Sequence, residues 1–302
     1  MTAPRIIFVP GLNPKPLPEL YRPQLLRVLT AGLARSRPHA ATWLAANADA
    51  FRLVAWTYLF YGAYRDITVD MPGIERLLAR PGPSTDDLEE LHALPRTLKR
   101  WSYVLGDTWP LLGRWLAPAA TRRLMHEANR YLKNRNGIGN SIRASLRAEL
   151  DSAWNSGAPV LLIGHSLGSV IAYDTLWELS RERASARRID LFVTLGSPLA
   201  THFIQRKLRG SREHGAARYP TNIRHWANFT ARGDTTALQP RLQPTFAEML
   251  TLGLVESFDD VVDFDNYFRG ELGLNEHEAY GYLSQPSVGA TVGDWLSKNA
   301  VS

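Results

Sequence analysis

The 302-residue chain has no cysteine, which excludes disulfides and any thiol-based nucleophile or metal site. Long apolar runs are missing as well: no segment approaches the ~20 apolar residues that a membrane span requires. The first apolar run, Arg5-Ile6-Ile7-Phe8-Val9, is too short for a secretory signal, and no cleavage-site pattern follows it. Neither an internal repeat nor a low-complexity linker divides the sequence. These absences lead us to expect a soluble, cytoplasmic protein folded as a single domain over residues 1–302.

The composition is that of an ordinary globular protein, 45% hydrophobic and 21% charged. Its net charge of +6 is unevenly spread. Residues 96–147 hold eleven Lys or Arg against Asp107 and Glu127, whereas residues 245–302 hold ten acids against Arg269 and Lys298. The basic stretch offers either a surface for peripheral contact with an anionic membrane or solvated helix faces. No nucleic-acid-binding motif accompanies it, so no nucleic-acid partner is expected.

Strand character, meaning β-branched and aromatic residues bounded by turn formers, marks Arg5–Val9, Phe51–Tyr58, Pro159–Ile163, Ile189–Leu195, Asn222–Phe229 and Asp260–Phe264. Helical patterning lies between them, at Leu25–Leu33, Ala40–Ala50 and Gly137–Ala153. Such alternation predicts an α/β protein with a mostly parallel central sheet of about six strands flanked by helices. One connection is far too long for a simple crossover. Residues 62–136 carry helical stretches near Glu75–Ala79, Asp86–Leu94, Thr97–Leu105, Leu111–Leu116 and Ala119–Lys133, so they read as a helical lid or cap insertion. Trp101 and Trp109 within it are candidate substrate-binding residues if the insertion covers a lipophilic ligand. Alternatively they pack the insertion onto the sheet.

The segment Gly164-His165-Ser166-Leu167-Gly168 fits G-x-S-x-G, a tight strand-to-helix turn that lifts a serine hydroxyl above a sheet. A serine hydroxyl needs a base to take its proton, and the base needs an acid to hold its tautomer. In open α/β sheets, functional groups collect at the carboxyl ends of strands. Asp234, behind the fifth strand, is the favoured acid, with Asp263 and Asp265 as rivals. His277, beyond the last strand, is the favoured base and completes the chain order serine, aspartate, histidine; His202, His214 and His225 are reserves. The backbone N–H groups of Leu12 and Leu167 would form the oxyanion hole. Gly11, His165 and Ser197 would line the substrate site. The scheme calls for neither a metal nor an organic cofactor.

With these residues the chain resembles the serine-dependent α/β-hydrolase superfamily, in its lipase and esterase branch. The segments Thr194-Leu195-Gly196-Ser197-Pro198, Trp226-Ala227-Asn228 ahead of Asp234, and His277 before Tyr280 are similar to motifs of glycosylphosphatidylinositol-deacylase-like and lecithin-cholesterol-acyltransferase-like members. Residues 62–136 match nothing in that family, and Pro10-Gly11 stands where many relatives have His-Gly. The resemblance implies an α/β-hydrolase fold and a serine esterase or lipase-like enzyme acting on small-molecule or lipid acyl esters. Acyl transfer or amide hydrolysis by the same residues, and a non-catalytic binding protein on the same fold, remain as alternatives.

Overall fold

The computed structural model describes residues 2–92, 119–182 and 187–300. Among them, six strands form one sheet: β1 (Arg5–Val9), β2 (Phe51–Leu53), β3 (Val160–His165), β4 (Ile189–Leu195), β5 (Ile223–Ala231) and β6 (Ser257–Phe264). Their order is β2-β1-β3-β4-β5-β6, and every pairing is parallel. A parallel sheet needs crossovers that cover both its faces, and strands buried on both faces read as continuous apolar runs. Val160-Leu161-Leu162-Ile163 is such a run, fully buried.

Alternate residues of these strands face opposite layers. On one side Ile7, Val9, Leu162, Phe192 and Trp226 pack with two helices that flank β3 in sequence, Ile138–Asn155 and Leu167–Leu179. On the other side Ile6, Phe8, Leu161, Ile163 and Val193 meet the helices Pro18–Ala34 and Pro286–Ala300. Trp226 stacks on Phe258 with ring centroids 4.3 Å apart and lies 5.0 Å from Phe192, so one aromatic group ties β4, β5 and β6 together. Beside it runs a buried polar ladder. Thr194 Oγ1 donates to Asn228 Oδ1 at 3.0 Å, and Asn228 Nδ2 donates to Asp260 Oδ1 at 2.8 Å. Asn228 Nδ2 also reaches the Pro240 carbonyl, so the ladder anchors the loop that follows β5.

The expected strand Phe51–Tyr58 is shorter than its composition suggested. Val54 N donates to Phe8 O, the last bond that the five-residue β1 supplies, and Thr57–Tyr61 turns into a helix. The described parts of 62–136 lie against the body of the protein. Asp87 and Glu90, in the helix Thr85–His92, accept from Arg269; Tyr131, in the helix Ala119–Leu132, donates to Asp174 at 3.0 Å. The expected helices at Thr97–Leu105 and Leu111–Leu116, with Trp101 and Trp109, fall outside the described residues. Among the described residues no helix is long and apolar enough to cross a membrane.

Candidate active site

From β1 the chain goes to β2 on one side and then returns to β3 on the other, so the sheet order reverses between β1 and β3. Loops diverge at the carboxyl ends of such a pair and leave a crevice. The loop at the end of β1 carries Gly11; Ser166 follows the end of β3. These two meet: a Cβ placed on Gly11 would lie 2.7 Å from Ser166 Cβ.

Ser166 has φ +53° and ψ −126°, a backbone conformation that a residue with a side chain adopts only under strain of about 1–3 kcal/mol. Its main chain is held on both sides. Ser166 N donates to Leu195 O at 2.9 Å, and Ser166 O accepts from Ser169 Oγ at 2.6 Å. Because Ser169 spends its proton there, the 2.7 Å contact with Ser197 has Ser197 Oγ as donor; Ser197 Oγ in turn accepts from Leu199 N. The turn is also compressed. A Cβ on Gly168 would sit 2.1 Å from the Val9 carbonyl oxygen, so the helix after Ser166 starts pressed against the end of β1. That helix directs its N-terminus, the positive end of its dipole, toward Ser166.

His277 lies between the short strand Gly273–Leu274 and the helix Ala279–Leu283, with its side chain 28% exposed. Its Nδ1 is 2.8 Å from Asp234 Oδ2. An ionised carboxylate can only accept, so Nδ1 donates and the neutral ring carries its lone pair on Nε2. Asp234 is fully buried and further held by Tyr282, whose hydroxyl donates to Oδ2 at 2.6 Å, and by Thr236 N, which donates to Oδ1 at 2.8 Å. Burial alone would raise the Asp234 pKa, but the His277 charge and these hydrogen bonds outweigh it and hold the pKa below the ordinary value. Burial would likewise lower His277. The Asp234 charge and hydrogen bond overcome it, so His277 protonates at higher pH than an ordinary histidine. Gly196 backs the pair with φ +53°; a Cβ there would lie 2.6 Å from Asp234 Oδ2.

His165 packs its ring 4.8 Å from that of His277, and its Nε2 donates to the His277 carbonyl at 2.7 Å. Its Nδ1 is buried with no hydrogen-bond partner among the described residues. Burial, followed by the charges of His277 and Lys15, pushes its pKa well below the usual histidine value. His165 is therefore neutral at physiological pH.

The loop after β1 is clamped from outside. Trp56 Nε1 donates to Pro10 O at 2.9 Å, and Asn13 N donates to the Tyr61 hydroxyl at 3.0 Å. The amides of Leu12 and Leu167 donate to no described residue.

The sequence-derived residues thus divide. Gly11, Leu12, His165, Ser166, Leu167, Asp234 and His277 gather at the carboxyl ends of β1, β3 and β5. Asp234, rather than Asp263 or Asp265, faces His277; Asp265 accepts from Arg232 at 2.9 Å. His225, held in reserve, sits early in β5 and contacts Ser257. Ser197, expected to line the site, is 1% exposed and engaged with Ser169 and Leu199 N. Sequence reasoning missed Tyr282, Trp56 and Tyr61, whose only local signal is aromatic character. Among the described residues no cluster of three His, Asp or Glu side chains could hold a metal ion. No protein-family model matches the chain, and neither a curated protein nor a solved structure matches it at a significant level.

Proposed function

We propose that this protein is a serine hydrolase with an α/β-hydrolase fold that cleaves carboxylic esters through an acyl-enzyme. The observation that carries the reading is the 2.8 Å bond between His277 Nδ1 and buried Asp234, alongside a strained Ser166 at the sheet's switch point. The chain order serine, aspartate, histidine agrees with it.

In the proposed reaction, His277 Nε2 takes the proton of Ser166 Oγ as the oxygen attacks the ester carbonyl. The aspartate holds the tautomer and stabilises the imidazolium, consistent with the raised pKa of His277. The amides of Leu12 and Leu167, which have no acceptor among the described residues, would receive the oxyanion, with the helix dipole adding to their effect. The imidazolium then gives its proton to the leaving alcohol, and a water deprotonated by the same histidine hydrolyses the acyl-serine. Residues 62–136 would act as a cap over this crevice. Within the basic stretch Arg143 and Arg147 pair with Glu178 and Glu182, and Arg130 lies over the Phe60 ring, so a peripheral contact with an anionic membrane would rest on the other basic residues of 96–147.

The test is intact-mass analysis after reaction with a fluorophosphonate, on the wild type, Ser166→Ala and His277→Ala, followed by p-nitrophenyl esters from acetate to palmitate. One adduct on Ser166, slowed without His277, is the expected result; a folded wild type that takes no label overturns the reading. Added alcohols competing with water for the acyl group would report transfer instead of hydrolysis.

A further inference from the structure

Tyr282 is fully buried in the helix Ala279–Leu283, shortly after His277 in the chain. Its ring packs edge-on to Phe264 and lies 6.0 Å from that of His165. The hydroxyl makes two bonds. Its oxygen accepts from Ala231 N at 3.0 Å, and Asp234 Oδ2 lies 2.6 Å away. An amide N–H can only donate, so Ala231 occupies a lone pair of the phenol oxygen and the phenol proton points at the carboxylate. The end of β5, which leads into Asp234, thus fixes the direction of the bond to Asp234. Burial, followed by the Asp234 charge, pushes the Tyr282 pKa well above the ordinary tyrosine value, so the phenol remains a donor at neutral and mildly alkaline pH.

The same oxygen, Oδ2, is the one that His277 Nδ1 reaches at 2.8 Å. Two donors on one oxygen divide its charge. The phenol favours the ionised carboxylate and leaves less of that charge to hold a proton on His277. Other groups act on His277 from further off. Burial lowers its pKa; Asp234 and then Glu278 raise it, and Lys15 lowers it. His165, whose ring is 4.8 Å away, is neutral, and Glu276 acts on the Tyr282 hydroxyl itself. A general base must also release the proton that it takes. An aspartate bound by His277 alone would grip the imidazolium harder, leaving the histidine less often neutral at pH 7 and slower to protonate a leaving alcohol.

We propose that Tyr282 is a positioning residue for the Asp234–His277 pair: its hydroxyl turns Oδ2 toward His277 and, by sharing the charge of that oxygen, sets how tightly the imidazolium holds its proton. The proposal rests on the ester-hydrolase reading above for its part in the reaction. Tyr282 touches no reacting atom and acts through Asp234 alone.

The experiment follows the Cε1 proton of His277 by NMR from about pH 5 to about pH 9, the signal being identified by its absence in His277→Ala. Removing the phenol proton in Tyr282→Phe should raise the midpoint by about half a pH unit, part of what one hydrogen bond to a charged group contributes. Placing 3-fluorotyrosine at position 282 strengthens the donor and keeps both bonds, so the midpoint should fall; this variant decides the matter where Tyr282→Phe does not fold. Tyr280→Phe is the control. Its hydroxyl donates to Asp70 and not to Asp234, so its loss should leave the midpoint in place. The pH profile of kcat/KM on p-nitrophenyl acetate should move with the NMR midpoint in each variant. A role confined to packing would lower stability or kcat and move neither midpoint. An unmoved or lowered midpoint in Tyr282→Phe, an unmoved or raised one with 3-fluorotyrosine, or an equal shift in Tyr280→Phe overturns the proposal. Failure of the hydrolase reading looks different: no ester turns over and Ser166 takes no label, while the NMR midpoints, which need no substrate, still decide whether Tyr282 governs the proton on His277.

Discussion

The ring of His165 donates its Nε2–H to the main-chain carbonyl of His277 at 2.7 Å. The residue before Ser166 thereby holds the backbone of the residue that orients on Asp234, and the two halves of the site are joined through one side chain. His165→Ala should remove that donor and open a buried space, destabilising the protein by about 2–4 kcal/mol. On the proposed mechanism ester turnover should fall through kcat, since the main chain of His277 would lose the bond that holds it. Restored turnover in His165→Gln, which keeps a donor, is the accompanying expectation; equal loss in both variants would point to ring packing instead. Urea unfolding and steady-state kinetics check both.

Asp234→Asn should keep the fold, because an amide oxygen can still accept from Thr236 N. It would present Nδ2 or a neutral oxygen to His277 and remove the charge that stabilises the imidazolium. On the proposed mechanism kcat drops by about 10⁴ while circular dichroism stays unchanged. A variant retaining more than about a tenth of the wild-type rate would remove Asp234 from the mechanism.

A base must be neutral to accept a proton. Because His277 is raised above 6.5, kcat/KM should climb with pH to a midpoint above that value and level off in mild alkali. The Lys15 charge opposes His277 protonation, so Lys15→Met should move the midpoint higher still. Stability runs the other way. What the Asp234 partnership adds through His277 is fully present below pH 6.5 and is lost as pH rises through the folded-state value.

Gly168→Ala would drive a Cβ to within 2.1 Å of the Val9 carbonyl, where only backbone could yield. A loss of about 3 kcal/mol or more is expected. Gly82→Ala meets nothing within 4 Å and should change stability little. Melting temperatures of the two variants give the comparison.

Asp174, buried in the helix after Ser166, is raised by burial to a pKa of about 6, despite hydrogen bonds from Arg209 N and Tyr131 and the Arg143 charge. Its protonated form is favoured by the fold, so it contributes stability below the unfolded value of 3.8 that is lost as pH rises to about 6. Asp174→Asn lacks this loss. The stability difference between variant and wild type should therefore shift toward the variant by about 3 kcal/mol between pH 3.5 and 7, read from urea midpoints. A pH-independent difference would mean that Asp174 is charged throughout.

Ser166 and its turn were legible because their signal is local: two glycines and a serine at fixed spacing after an apolar run. Asp234 and His277 were found by a rule of topology, that polar groups gather at carboxyl ends of parallel strands, and they share a hydrogen bond. Tyr282 and Trp56 escaped. Each acts through a partner distant in sequence, and nothing in an aromatic residue by itself announces a buried polar contact. The end of β2 was missed for a related reason. Trp56, Thr57 and Tyr58 favour strand intrinsically, but strand length is set by the neighbour, and β1 has no residue left to pair with them. His165 and Ser197 were read as lining the substrate site from their positions alone; what holds them, the His277 carbonyl for His165 and Ser169 with Leu199 N for Ser197, lies far along the chain or in the turn itself and has no sequence signal.

The parallel pairing of Arg5 with Val160 also sets a timetable for biosynthesis. At about 5–20 residues per second, on the order of ten seconds or more separates the emergence of the two strands from the ribosome. Until then β1 has only the three residues of β2 to lie against, and its other edge stays open for all of that interval. The Gly11 loop can meet Ser166 only once the long stretch between them has been translated. A nascent chain stalled before β3 would expose Ile6, Ile7 and Phe8 to any passing strand, which makes this window the point at which a holding chaperone would matter most to the yield of folded protein.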